Sequence, residues 1–315
     1  MRAARIHRFG PPEVIVIDDL PQPAPASREL LVRVAASGVG PWDALIREGK
    51  SKVSPPPPLT LGSDLSGVVE AVGPGVTEYQ PGDEVYGVTN PQFCGAQAEY
   101  AIARVDMMAR KPPSLTHVQA ASVPVVAVTA WQMLFEYARV QADQTVLVLG
   151  ASGNVGAYAI QFAVGARVHV VATARARDAG FVRNLGAELV IDYEHESFDE
   201  NIPSVDVILD MVGGDTLSRS FQKLKPGGIL VSVVSAESPP QRSGVTSVFF
   251  YAEVSTSRLN TISGWFDRGK VVTHVGTVLP LDKVREAHRM LAGAPHKPGK
   301  IVLLSVGEPG TIGSQ

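Results

Sequence analysis

The chain of 315 residues has one cysteine, 6% aromatic residues and no excess of positive charge. Cys94 alone cannot form an internal disulfide or a four-cysteine zinc site. A formal net charge of -3 and a pI near 6.2 give no basic surface of the kind that binds nucleic acid. No apolar run approaches the length of a membrane span or a signal peptide. These absences exclude a disulfide-stapled scaffold and predict a cytoplasmic protein without nucleic-acid or membrane partners.

Residues 144–156, QTVLVLGASGNVG, join an apolar strand to a helix start punctuated by glycines. The run from Val146 to Leu149 is typical of a strand buried on both faces of a parallel sheet. Gly150 permits a tight turn, Gly153 lets the backbone approach a phosphate, and Gly156 lets the helix pack closely on the strand. The first amides of the helix would then face the anion of a dinucleotide. Because the spacing is GxxGxxG rather than GxGxxG, a plain strand-to-helix turn stays open as an alternative.

The residues after this segment continue the alternation of helix and strand. A helix is expected at 157–164, and short apolar runs predict strands at 167–172, 188–192, 205–210 and 228–234, the last after a turn at 225–228. Alternation of this kind is typical of a doubly wound parallel sheet.

The residues that follow the second of these strands indicate which coenzyme is bound. NAD enzymes use a carboxylate there for the ribose hydroxyls, whereas a 2′-phosphate needs cations or hydroxyls. The sequence at 173–177 is TARAR, in which Arg175 and Arg177 offer guanidinium groups to a phosphate. NADPH is therefore predicted over NADH. Solvated loop charges, with Asp178 nearby, are the alternative.

The first 110 residues differ, because short alternating runs broken by proline and glycine predict antiparallel strands. Those runs lie at 13–17, 30–35, 67–72, 83–88 and 97–103. Helical patterns follow at 118–123 and 127–137, and a helix at 281–291 precedes a strand at 300–304. The length allows two cores, so we expect two domains.

Seven motifs in order resemble the medium-chain dehydrogenase/reductase superfamily, and within it the zinc-free quinone and enone reductase branch. They are GVGPWDALIREG (38–49), LGSDLSGVVEAVGPGV (61–76), PGDEVYG (81–87), VLVLGASGNVGAYAIQFA (146–163), LGAELVIDY (185–193), LKPGGILV (224–231) and PGKIVLL (298–304). The resemblance implies an α/β protein in which a Rossmann doubly wound parallel sheet, residues 119–255, is inserted into a GroES-like β-barrel domain, residues 1–118 and 256–315. It also implies NADP(H) in the cleft where the domains meet, and a homodimer.

The zinc-dependent branch of this superfamily has a cysteine at the position of Gly40 and a histidine at that of Ser63. Neither ligand is present, and a catalytic zinc needs three protein ligands. The seven histidines lie outside the metal motifs of the family. No metal is therefore predicted, although Asp43 and Asp64 leave a weak divalent site open as an alternative.

The resemblance implies coenzyme roles for identifiable residues. These are Thr129 beside the nicotinamide; Gly150, Ser152, Gly153, Asn154, Val155 and Gly156 around the pyrophosphate; Thr173, Ala174, Arg175 and Tyr193 around the adenosine ribose phosphate; and Val212, Gly213, Val233 and Ser235 at the ends of later strands.

Eight residues fall in segments that border the cleft of the family and form the expected acceptor pocket, where flat aromatic walls suit flat acceptors. They are Trp42, Asp43, Asp64, Phe93, Phe249, Phe250, Tyr251 and Trp265. Core packing is the alternative for each aromatic residue, and a turn cap for Asp64. No catalytic residue is assigned; Tyr86, Tyr100 or water could protonate the product. Cys94 is expected to pack rather than react.

Without a Lewis acid, hydride transfer is easiest to an acceptor that spreads the developing charge by conjugation. The sequence therefore predicts an NADPH-dependent reductase of quinones or α,β-unsaturated carbonyls. Two alternatives stay open: another enzyme of the superfamily, such as an alcohol dehydrogenase or enoyl-thioester reductase, and an NADPH-binding protein without turnover.

Overall fold

The computed structural model describes residues 1–195, 197–234 and 241–305. The chain divides into two compact units, of which unit 1 is Met1–Val125 with Val254–Gln315 and unit 2 is Val126–Glu253. The sequence predicted the divisions after residues 118 and 255. The observed first division, after Val125, falls inside the helix Pro124–Trp131, so no break in the hydrophobic pattern marks it.

The secondary structure is as follows, in chain order. The strands are β1 (Arg2–Ile6), β2 (Ile15–Asp19), β3 (Glu29–Val39), β4 (Leu59–Thr60), β5 (Asp64–Val72), β6 (Glu84–Val88), β7 (Tyr100–Arg104), β8 (Met108–Arg110), β9 (Thr145–Leu149), β10 (His169–Ala174), β11 (Leu189–Asp192), β12 (Val205–Asp210), β13 (Leu224–Ser232), β14 (Thr246–Phe249), β15 (Val275–Pro280) and β16 (Lys300–Leu304). The α-helices are α1 (Pro41–Arg47), α2 (His117–Ala121), α3 (Pro124–Trp131), α4 (Asn154–Gly165), α5 (Ala179–Asn184), α6 (Gly214–Phe221), α7 (Thr256–Asp267) and α8 (Val284–Leu291). A π-helical turn, Gln132–Tyr137, continues α3.

Unit 1 is built on two sheets. The larger has the strand order β15-β16-β3-β5-β6-β8, with β7 also paired to β3, and the smaller has the order β2-β1-β4. The strands from the first part of the chain pair antiparallel, as their alternating pattern predicts. Strand β16 runs antiparallel to β3, with Ile301 opposite Val39. The two ends of the chain therefore share one GroES-like domain.

Besides a small group of Ala36, Ala121 and Val302, two larger hydrophobic clusters form the core of unit 1. One gathers β3, β5, β6 and β7 residues such as Leu30, Val32, Leu65 and Val85. The other joins Ile6 and Ile15 of the small sheet to α1, α8 and β16, and Trp42 packs at its margin. Helix α1 is thus anchored beside the last strand.

Unit 2 is a parallel six-stranded sheet with the order β11-β10-β9-β12-β13-β14. Strands β10 and β11 lie on one side of β9, and β12, β13 and β14 lie on the other, so the direction in which strands are added reverses at β9. This is the strand order of a Rossmann fold, whose ligands bind beyond the carboxyl ends of the strands at that reversal. Val146 to Leu149 of β9 are fully buried, as expected of a central strand.

Two features of this sheet differ from the sequence prediction. The sequence does not predict strand β14, because its four residues, TSVF, carry too little alternation to mark a strand. Strand β13 starts at Leu224 rather than after the expected turn, since the pairing with β12 skips from Leu224 to Ile229. Gly227, at a φ of 79°, supplies the left-handed residue that this bulge requires.

Of the helices in the described ranges, none combines the length and the apolar character that a bilayer crossing requires.

Candidate functional site

The turn between β9 and α4 in unit 2 has the geometry of a dinucleotide cradle. Gly150 adopts a φ of 83°, which side chains disfavour, so the strand can turn at once. A Cβ at Gly156 would lie 2.4 Å from the carbonyl oxygen of Gly150 and 2.8 Å from Cα of Ala151. The helix therefore packs on the turn at a distance that only glycine permits.

The first turn of α4 supplies the donors of this cradle. The helix begins at Asn154, after Gly153, and the amides of Asn154, Val155 and Gly156 precede the first residue that has an intrahelical acceptor. Ser152, Asn154 and Val155 are partly exposed and Gly153 is exposed. Exposed amides at the positive end of a helix dipole fit a pyrophosphate.

Arg175 lies at the same edge of the sheet, one residue beyond β10. Ala174 of β10 pairs with Asp192 of β11, so the residues that follow them, Arg175 and Tyr193, are neighbours. The guanidinium Nε of Arg175 is 3.0 Å from Oε1 of Glu194. Charge interaction and a hydrogen bond with Tyr193, together with Glu194, raise the pKa of Arg175 above its ordinary value. Arg175 is half-exposed, and a phosphate that binds its guanidinium would have to displace the carboxylate of Glu194.

Three further residues predicted near the adenosine and the nicotinamide are buried, namely Thr129, Thr173 and Ala174, whereas Arg177 is exposed. Thr173 and Ala174 end β10 with almost no exposed surface. The carbonyl of Thr173 accepts a hydrogen bond from the amide of Ala151, which ties the strand to the glycine turn. Thr129 is buried on α3. Arg177 is 71% exposed and only loosely paired with Asp178, at 3.9 Å.

Asp210, at the end of β12, organises the loops beyond the central strands, and sequence analysis missed it. Its Oδ1 accepts from the amides of Val212 and Gly213 at 3.0 and 2.7 Å, and its Oδ2 accepts from the hydroxyl of Ser232 at 2.7 Å. The sequence carries a signal for this role, because Asp210 is an acidic residue that ends an apolar strand just before the MVGG turn.

The structure brings the loops after β9, β12 and β13 together. A Cβ at Gly150 would lie 3.0 Å from Cγ2 of Val212, and one at Gly213 would lie 3.5 Å from Cγ1 of Val234. Val212 is exposed, and Val233 is half-buried, with its amide bonded to the carbonyl of Asp210. Ser235 lies outside the described residues.

In unit 1 the half-buried Trp42 and four buried side chains form a group, here called the Trp42 cluster, which consists of Trp42, Asp43, Ser63, Asp64 and Lys300. Lys300 Nζ donates to Asp64 Oδ2 at 3.0 Å, and both side chains are buried. The same ammonium lies 4.2 Å from the ring centroid of Trp42. Trp42 Nε1 donates to Ser63 Oγ at 2.9 Å. Sequence analysis missed Lys300, whose signal was a cation that opens the apolar strand KIVLL.

The indole of Trp42 fills the space beside Gly40 and Ser63, the positions of the zinc ligands in the other branch of the family. A Cβ at Gly40 would lie 2.4 to 2.5 Å from three carbons of the benzene half of the indole. No side chain at residue 40 is therefore compatible with this position of Trp42. Within the described ranges, no three His, Cys, Asp or Glu residues are grouped closely enough to hold a metal ion.

The two acids of the Trp42 cluster play different parts. Asp43 Oδ2 accepts from the amide of Gly40 at 2.8 Å and so caps α1. Complete burial raises the pKa of Asp43 to about 7, with Asp64 adding to the shift and Lys300 opposing it. Asp64 opens β5, and its Oδ1 accepts from the amide of Val125. Burial also raises the pKa of Asp64, while the ammonium of Lys300 acts in the opposite direction.

The remaining aromatic candidates are distributed over several environments. Phe250 is buried and stacks on Tyr137 at 4.2 Å, whereas Tyr251 is 65% exposed and meets Phe249 edge to face. Phe93 packs at the margin of the core that contains Trp42, and Trp265 is half-buried on α7. Of these, Tyr251 alone presents most of its surface to solvent.

Tyr86 and Cys94 are held in packed surroundings. The Tyr86 hydroxyl donates to the carbonyl of Leu259 at 2.9 Å, and burial raises the pKa of Tyr86 above its ordinary value. Burial likewise raises the pKa of the Cys94 thiol. The phenol of Tyr86 already has an acceptor, and a thiol with a raised pKa is a poor nucleophile.

Comparisons with known proteins agree with this geometry. The alcohol dehydrogenase GroES-like domain family matches residues 26–148, and the family described as zinc-binding dehydrogenase matches residues 185–303. The quinone oxidoreductase of Mus musculus is 31% identical over 326 residues, which cover 96% of this chain and 98% of that protein. The chain belongs to the medium-chain dehydrogenase/reductase superfamily, among relatives that are quinone oxidoreductases.

Two solved structures share the whole fold. The quinone oxidoreductase from Coxiella burnetii aligns with a TM-score of 0.89 at 30% identity, over 96% of this chain and 99% of that one. A mycobacterial protein solved in complex with NADPH aligns with a TM-score of 0.85 at 29% identity, over 96% of this chain and all of that one. The predicted Rossmann sheet, GroES-like domain and superfamily are confirmed.

Proposed function

We propose that the protein is an NADPH-dependent, zinc-independent reductase of quinones or α,β-unsaturated carbonyl compounds. The observation that carries the proposal is the glycine-lined start of α4 with Arg175 at the same edge of the sheet. The mycobacterial relative with bound NADPH and the quinone oxidoreductase relatives support it.

The residues of unit 2 would hold the coenzyme by its phosphates. The amides of Asn154, Val155 and Gly156 would bind the pyrophosphate, and Arg175 the 2′-phosphate, with Tyr193 beside it. When bound, NADPH supplies a hydride from C4 of its nicotinamide ring. Asp210 ties the turn after β12 to the last residue of β13, Ser232, through three hydrogen bonds at this edge of the sheet.

The residue types at positions 40 and 63 favour conjugated acceptors. Glycine and serine there supply neither thiolate nor imidazole, so a simple carbonyl would lack the usual zinc to stabilise its developing alkoxide. A quinone or enone spreads that charge over conjugated atoms, and water completes the reduction with a proton. Hydride and proton together convert the enone to the saturated carbonyl compound, or the quinone to the hydroquinone.

The test is to follow NADPH absorbance with a panel of quinones, enals, enones and aldehydes as hydride acceptors, and with NADP⁺ and alcohols for the reverse reaction, each with and without a chelator. We expect oxidation of NADPH by quinones or enones that the chelator does not change. Activity confined to alcohols or aldehydes and lost with chelator would identify a zinc dehydrogenase instead. Saturable NADPH binding without turnover would identify a nucleotide-binding protein. The homodimer and the cytoplasmic location stay predictions from the sequence.

A further inference from the structure

The end of β10 has no acid of its own, but the fold supplies one from the neighbouring strand. Residues 173–177, TARAR, contain no carboxylate of the kind that binds the ribose hydroxyls of NADH. Glu194, two residues beyond β11, brings its carboxylate to this place, with Oε1 3.0 Å from Nε of Arg175. This edge of unit 2 therefore carries a guanidinium and a carboxylate side by side.

The contact between Arg175 and Glu194 is close but poorly aligned. Nε of Arg175 is buried, and within the part of the chain that the structure describes no acceptor has the geometry of a hydrogen bond to it. Glu194 therefore contributes charge at 3.0 Å without an aligned hydrogen bond. Its side chain is 57% exposed, and exposed ion pairs of this kind stabilise a protein little. A better aligned anion can therefore displace the carboxylate.

The backbone of Glu194 is held in place independently of its carboxylate. Its amide donates to Oδ1 of Asp192 at 3.0 Å, within the turn that follows β11. Ala174 pairs with Asp192, so this turn begins level with the residue before Arg175. An exposed glutamate side chain changes rotamer quickly and without any movement of the backbone. The carboxylate can therefore keep its place or leave it according to the ligand.

We propose that Glu194 is a coenzyme-specificity residue that lets the protein use NADH as well as NADPH. The inference rests on the coenzyme site of the proposed function, because it takes Arg175 as the group that binds the 2′-phosphate. An anion bound to this guanidinium lies about 3 Å from it, which is where the carboxylate of Glu194 now lies. NADPH therefore has to displace Glu194, whereas the 2′-hydroxyl of NADH can donate a hydrogen bond to it.

The carboxylate of Glu194 thus acts in opposite directions on the two coenzymes. For NADPH it is an internal competitor of the 2′-phosphate, so its removal tightens binding. For NADH it is a hydrogen-bond acceptor, so its removal weakens binding. A general effect of negative charge would differ, because both coenzymes are anions and both would bind more tightly once the charge is gone.

Calorimetric titration of both coenzymes tests the inference. We expect E194Q to lower the Kd for NADPH about threefold and to raise the Kd for NADH about threefold, so that the preference for NADPH increases about ninefold. E188Q is the matched control, since it removes the same charge from an acid that pairs with His169 at 2.8 Å. We expect E188Q to change both Kd values by less than about twofold and in the same direction.

The fragments 2′,5′-ADP and 5′-AMP repeat the comparison without the nicotinamide, and E194Q should tighten binding of the first and weaken binding of the second. Changes in the same direction for NADPH and NADH in E194Q, or a wild-type protein that does not bind NADH, would overturn the inference. If the Kd values change as expected but no quinone or enone oxidises NADPH, the proposed reductase activity fails and the role of Glu194 stands. If quinones are reduced but E194Q leaves the ratio of the two Kd values unchanged, the inference alone fails.

Discussion

The coenzyme edge of unit 2, which comprises the turn before α4 and Arg175, is formed mainly by backbone groups, whereas the Trp42 cluster of unit 1 is formed by side chains. The coenzyme edge uses backbone amides, glycines and the half-exposed pair of Arg175 and Glu194. The Trp42 cluster uses side chains that are buried and charged, Lys300 and Asp64 above all. A backbone cradle depends on local turn geometry, whereas a buried charge cluster depends on pairs that are far apart in the chain. The two regions should therefore differ in which substitutions they tolerate.

The largest effect is expected from removing one charge of the buried pair. K300M leaves the Asp64 carboxylate buried without its cation and should lower the free energy of unfolding by about 3 to 5 kcal/mol. Urea unfolding measures this loss. D64N/K300M should recover most of it, because both charges are gone. As a control, K225M breaks the more exposed pair with Asp206 and should lower the free energy of unfolding by less than about 1 kcal/mol. If K225M and K300M lowered it by similar amounts, buried and exposed pairs would not differ as expected.

The next effect concerns the glycine turn. G156A forces a Cβ against the backbone of Gly150 and Ala151, and it should lower the free energy of unfolding by about 2 to 3 kcal/mol and weaken NADPH binding at least about tenfold. Calorimetric titration and thermal unfolding check both. Gly180 lies in α5 with open space at its Cβ position. G180A should therefore stabilise the protein by about 0.5 to 1 kcal/mol, and a loss there would mean that space at the Cβ does not decide the outcome.

A smaller effect should appear in the pH dependence of stability. Asp43 has a pKa of about 7 in the folded protein against an ordinary value of 3.8. Between these values the folded chain holds a proton that the unfolded chain has lost, so stability falls as the pH rises and then levels off above about pH 7. From about pH 5 to about pH 7 this group should cost about 2 kcal/mol. D43N should lack this part of the decline; parallel pH profiles for D43N and the wild type would refute the assignment.

The smallest effects are expected at the exposed coenzyme edge. R175A should weaken NADPH binding about tenfold and leave NADH binding nearly unchanged, because the guanidinium serves only the 2′-phosphate. E194Q frees Arg175 from its acid and should tighten NADPH binding about threefold. E188Q removes the same charge before the start of β11 and serves as the control. Equal effects of E194Q and E188Q would indicate general charge rather than this pair.

The regions also differ in how far the sequence predicts them. Strands β12 and β16 have the bounds that their apolar runs predicted, and the glycines around β9 indicated the turn, because these signals are local. Strand β14 was missed, since a short edge strand depends on its neighbour. Lys300 and Asp64 are 236 positions apart, and no local pattern reports that they meet. Glu194 was missed for a related reason, because its partner follows a different strand.

The pairing of β16 with β3 has a consequence for biosynthesis. Asp64 and Trp42 leave the ribosome long before residue 300, and all of unit 2 is made in between. Unit 2 has a continuous sequence and can fold as it emerges, whereas the GroES-like domain waits for its last strand. Until then Asp64 has no ammonium beside it. During synthesis the edge of β3 that β16 later covers therefore stays without this partner until the last part of unit 1 has been made.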